Sequence, residues 1–200
     1  MRRWIAALAV VAMSGATPAR ACMTEAPLDL HDIRYADVVV VGRITNYRII
    51  PDLEIRRQNA LARDPAIRRE MANLIGGEPP EPEDDTPGRF MSDYASFRVI
   101  VDEVLVGPAA ATLEVTWDNS TFAEPESLPA GPFLIALRHA GSRLPPLRGP
   151  SATILPNPDP NALAVLQAPC SRPFMFESGS REARTVRRIL NRTQSQPAGH

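Results

Sequence analysis

The clearest hydrophobic pattern in the chain is Ala36-Asp37-Val38-Val39-Val40-Val41-Gly42-Arg43-Ile44-Thr45-Asn46-Tyr47. It starts as a β-branched run apolar at every position and then loosens into alternation, with Val38, Val40 and Ile44 on one face. This predicts a strand buried on both sides at its start, and Gly42 inside it predicts a bulge or a barrel corner. A second strand is read from Phe97 to Leu105, where Phe97, Val99 and Val101 alternate with Arg98 and Asp102 before Gly107-Pro108 stops the run. Leu113, Val115 and Trp117 alternate with Glu114, Thr116 and Asp118 in a third. Phe133 to Leu137 makes a fourth after Gly131-Pro132, and Ala162 to Ala168 a fifth before Pro169-Cys170. Five strands without βαβ spacing imply a mainly β protein built as a closed or nearly closed five-stranded antiparallel barrel.

Helical periodicity occurs in three places. Asp29 caps a short helix through Ile33 to Ala36. Between the first two strands, Pro51 to Ser92 is too long for a hairpin loop. Within it Leu61, Ile67, Met71 and Ile75 recur at helical spacing, divided by Pro65. The following Glu78-Pro79-Pro80-Glu81-Pro82-Glu83-Asp84-Asp85 is acidic and proline-rich, the composition of a disordered arm that is either a solvated linker or a docking element. Near the C-terminus, Ser180 and Glu182 can cap a helix whose apolar side carries Val186, Ile189 and Leu190. Arg181, Arg184, Arg187, Arg188 and Arg192 against Glu182 leave it at +4, a surface suited to internal pairing with the acidic arm or to an anionic partner.

The first residues change the picture of where this protein works. Arg2 and Arg3 precede the apolar run Trp4–Met13, and Ala19-Arg20-Ala21 supplies small residues for cleavage. Residues 1–21 therefore read as a removable export signal, with the mature chain starting at Cys22 in the periplasm or outside the cell. The run is too short for a membrane span, so none is expected in the mature chain. That chain of 179 residues carries 19 positive and 23 negative side chains, a net of −4, which argues against a nucleic-acid binder. Every cationic residue apart from the three histidines is arginine, as GC-rich bacterial genes encode. The two cysteines, Cys22 and Cys170, would meet an oxidising compartment, where a disulfide joining the two ends is expected; the alternative is a reactive thiol.

Candidate chemistry is sparse. His31, His139 and His200 lack ligand spacing, and no histidine or cysteine lies within a turn of another, so neither a metal nor another cofactor is expected. No nucleophile elbow or phosphate-binding glycine loop occurs. Asp84-Asp85 lies in the acidic arm, and Asp102-Glu103 alternates across a strand, so neither pair suits acid and base work on one substrate. Trp117 to Phe122 is a polar-aromatic stretch at a strand end that either lines a binding surface or finishes a turn. A catalytic role would need His31, His139 or Asp118 to converge in a pocket.

An initial Cys22, a short helix, the "alanine, aspartate, hydrophobic run, glycine" strand at 36–42, the Val104-Leu105-Val106-Gly107 strand end, Gly131-Pro132-Phe133-Leu134-Ile135-Ala136 and a late Cys170 together resemble the netrin-like, or tissue-inhibitor-of-metalloproteinase-like, domains. The resemblance covers Cys22 to Phe176 apart from the insertion at 51–92. It implies an OB-fold barrel over residues 22–176; the basic helix read above, with its tail, occupies 177–200. It further implies that the amino group and carbonyl of Cys22 could chelate a protease zinc, with Met23 entering the specificity pocket and Thr24 beyond it. An amino group with a pKa near 8 has the neutral fraction this needs. Thr24 stands where those inhibitors have a second cysteine, which weakens the bracing of the N-terminus. The expectation is an exported, non-catalytic module that binds another protein. The alternatives are a metalloprotease inhibitor acting through Cys22 and a hydrolase of unfamiliar design.

Overall fold

A computed structural model describes residues 25–77, 90, 92–118, 124–146, 158–168 and 170–195. A 3-10 turn at Leu30–Tyr35, whose cap Asp29 accepts from the His31 amide, leads into strand β1 (Val38–Ile50). Strands β2 (Tyr94–Val106), β3 (Thr112–Asp118), β4 (Phe133–Arg138), β5 (Leu163–Val165) and β6 (Met175–Glu177) follow. The ladder runs β1-β2-β3-β5-β4 and returns to β1, because Val38–Gly42 also pair with Leu137–Phe133. Five strands therefore close a barrel, and β6 lies beside β4 on the edge it also offers to β5.

One pairing departs from the antiparallel expectation: β3 and β5 run parallel, with Val115 opposite Leu163 and Thr116 opposite Ala164. Parity requires such a pair. Strand direction cannot alternate all the way round a ring with an odd number of members, so a closed five-stranded barrel must contain at least one parallel neighbour. The fifth strand is also shorter than its apolar run. Leu166 turns onto β4, donating its amide to Ala136 O, and Phe174 returns to donate to Leu166 O. The three-residue β6 beyond that turn was not expected, because Pro173 and the short run Phe174–Phe176 carry no strand periodicity.

The side-chain period of two distributes the core into two layers. Val38, Val40, Ile44, Phe97, Val99, Val115, Trp117, Ile135 and Leu137 fill the barrel interior. Val39, Val41, Leu134 and Ala136, on the outer side of β1 and β4, are covered by Ile33, Phe174 and the C-terminal helix. That second layer is why the four valines form an unbroken apolar run. Gly42 marks a shift in the β1–β2 register, and a Cβ placed there would stand 2.5 Å from Ile100 O.

Three α-helices complete the fold among the described residues. α1 (Leu53–Ala62) is capped by Asp52, which accepts from the Glu54 and Ile55 amides. α2 (Pro65–Ile75) is capped by Asp64 and ends at Gly76 in the left-handed conformation. Pro65 divides the two because it is tolerated at the first position of a helix and not inside one. α3 (Arg181–Ser195) starts on Ser180, whose hydroxyl accepts from the Ala183 amide, and buries Ala183 and Val186. The acidic arm lies outside the described residues; among those described, α3 meets Glu103 of β2, gripped by both terminal nitrogens of Arg187 at 2.9 and 2.6 Å. That grip holds Glu103 below and Arg187 above their ordinary pKa values.

Candidate interaction site

The insertion between β1 and β2 is fixed at its base, and its two described helices bury none of their residues. Its strands end opposite each other, with Ile50 paired to Tyr94. Just beyond, Asp93 is 1% exposed and holds four donors: the amides of Asp52 and Phe90, and Arg56 through two nitrogens at 2.6 and 2.7 Å. The Arg56 guanidinium also lies 4.9 Å from the centre of the Phe90 ring. Burial pushes the Asp93 carboxyl up, but Arg56 and the two amides outweigh it and hold the group below its ordinary value near 3.8. Asp52 is likewise held low, first by Ser92 and then by the Ile55 amide. One buried carboxylate thus ties the start of α1 and the return of the chain to the rim of the barrel.

Beyond this clamp neither α1 nor α2 buries a residue. Leu74 is 81% exposed, Leu53 71% and Ile75 61%, with Leu61 and Met71 also exposed. On α2, Ile67, Met71, Leu74 and Ile75 fall on one stripe at helical spacing. Apolar side chains scattered singly need no explanation, but a contiguous apolar stripe on a helix that buries none of its residues is a candidate contact surface.

The N-terminal edge is the second place where the expectations converge. Cys22, Met23 and Thr24 lie outside the described residues. The next two are tied down: the Ala26 amide donates to Cys170 O at 2.7 Å, and Glu25 meets Arg172 at 3.2 Å. Cys170 is buried, adopts a positive φ of 66° and is not a free thiol. The turn around it is braced by Gln167, whose amide donates to Ser171 O at 2.6 Å while its oxygen accepts from the Trp117 indole at 2.8 Å. Trp117 is therefore committed to the core and does not line a surface. Asn119 to Phe122 lie outside the described residues.

Convergence of the titratable candidates is not observed among the described residues. His31 is exposed on the 3-10 turn; His139 is exposed after β4, where its backbone amide donates to Asp37. His200 lies outside the described residues. A depression of about 600 Å3 is lined by Arg34, Tyr35, Ala36, Asp37, Ser142 and Arg143, and another of about 390 Å3 includes Asn46, Tyr47, Arg98 and Glu114; neither takes in His31 or His139. Asp102 and Glu103 point to opposite faces, one to Arg43 and the other to Arg187. Among the described residues no group of three or more histidine, cysteine or acidic side chains could hold a metal ion.

The class defined by these features is a closed five-stranded mixed barrel carrying a clamped helical arm on the β1–β2 connection and a helix packed on its outer wall. No protein-family model, curated protein or solved structure matches the chain.

Proposed function

We propose that this chain is an exported, non-catalytic module that binds another protein through the α1–α2 arm. The observation that carries this reading is the apolar stripe Ile67, Met71, Leu74 and Ile75 on a helix pair that buries none of its own residues and is nevertheless fastened to the barrel by Asp93. A helix that stabilises no core and yet is given a buried anchor serves a contact outside the chain. Export rests on residues 1–21, and the Cys22–Cys170 bridge on the anchoring of Ala26: four residues of extended chain span up to about 14 Å, which leaves Cys22 within reach of the Cys170 sulfur. The test is co-purification from the cell envelope with wild type and with Leu74→Asp/Ile75→Asp. The arm variant loses the partner while its thermal midpoint is unchanged; equal recovery of the same partner by both proteins defeats the reading.

A second reading, inhibition of a zinc protease through Cys22 with Met23 and Thr24 in the cleft, is favoured by one observation. Glu25 and Ala26 are pinned to Arg172 and Cys170, which braces the chain directly behind those three residues. A protein starting at Cys22 would inhibit such a protease, and one extended by a single residue would not.

A further inference from the structure

We infer that the outer face of α3 is a docking surface for anionic phospholipid. Arg181, Arg184, Arg188 and Arg192 are all exposed. At 100° per residue they fall within a wedge of about 80° and form a stripe about 16 Å long. The stripe lies opposite the side that buries Ala183 and Val186. None of the four meets a carboxylate among the described residues: Arg184 donates to the Gly179 carbonyl and Arg188 to the Thr185 hydroxyl. Arg187, a neighbour off the stripe, is the one that pairs with Glu103.

Helix stability accounts for Arg192, a cation in the last turn, but not for the rest of the stripe. Arg181 and Arg184 stand in or beside the first turn, where the helix dipole disfavours cations and an acid would be stabilising. Four like charges at i, i+3 and i+4 spacing also repel one another. Such a face is stabilised when anions lie along it, and guanidinium groups match phosphate oxygens in a forked, two-bond geometry. The shape selects among anions. A convex helix on the outer wall of the barrel touches a plane along a single line, as a membrane surface requires, whereas a nucleic-acid duplex or a small phosphate ligand is gripped by a groove or a pocket. Basic segments of this kind are drawn to anionic lipid by charge, without insertion of a helix.

The experiment is sedimentation of the full chain with phosphatidylcholine vesicles, with and without about one-third phosphatidylglycerol. The variants are Arg181→Gln/Arg184→Gln/Arg188→Gln/Arg192→Gln, the same four positions changed to lysine, and a control pair Arg57→Gln/Arg69→Gln on the arm. The apolar run Trp4–Met13 is common to all, so the readout is the ratio between proteins. The wild type binds phosphatidylglycerol vesicles at least about tenfold more tightly than the four-glutamine variant, the gap closes in high salt, and the lysine set and the arm control retain most of the binding. Equal binding by the wild type and the four-glutamine variant overturns the inference, and so does wild-type binding that ignores phosphatidylglycerol; circular dichroism and thermal midpoints matching the wild type show that the variants are folded.

Discussion

Asp93 is the residue on which the geometry of the arm depends, and its chemistry makes the dependence measurable. Its folded pKa lies below the unfolded value, so it stabilises the fold at every pH above the ordinary carboxylate range. That contribution disappears as pH falls through the lowered value. Asp93→Asn keeps the shape but loses the ion pair with Arg56, and costs about 1–3 kcal/mol at neutral pH. Thermal midpoints measured from neutral to strongly acidic pH would show a shallower acid-side decline for the variant than for the wild type. Gly42 gives a second test at this scale. Gly42→Ala drives a methyl group against Ile100 O and the Val99 side chain, and destabilises by about 1–3 kcal/mol in denaturant titration. The glycine was legible as a bulge or corner from its place in a β-branched run. The Asp93 clamp was not, because Asp52 and Arg56 stand on the far side of the arm in sequence, and the bond from the nearby Phe90 amide is a local turn contact with no periodicity to announce it.

Among the elements, strands with a strict period of two were readable almost to the residue. Leu113, Val115 and Trp117 face the interior as their alternation demands, and the run of four valines is buried on both sides because a helix layer covers its outer face. What escaped were elements too short to have a period: β6, with three residues, and the early end of β5. Both are set by hydrogen bonds to Ala136 and Leu166, which are tertiary choices. The arm and α3 behave differently when removed. Ile50 and Tyr94 are paired neighbours, so replacing residues 51–93 by a short turn leaves the barrel folded, with a cooperative thermal transition and native β-sheet circular dichroism. Phe174→Ala, by contrast, empties a fully buried site beneath α3 and costs about 3–5 kcal/mol. The Glu103–Arg187 pair is partly exposed, and a double-mutant cycle on it yields no more than about 1 kcal/mol of coupling.

For the whole molecule, the barrel and its C-terminal helix follow from the sequence pattern, and closing an odd number of strands requires a parallel contact, which falls between β3 and β5. The proposed docking surface follows less directly. The periodicity of Ile67, Met71 and Ile75 identified a helix, but the same spacing describes a helix packed on a core and a helix that buries none of its residues, and only the fold tells them apart. The central claim is that this uncovered stripe is where a protein partner docks. A photo-reactive residue placed at Leu74, and separately at the exposed Thr112 on the start of β3, tests it directly in the cell envelope. Covalent attachment of one discrete partner from position 74 and not from position 112 is the result predicted here; attachment of the same partner from position 112 alone would contradict it.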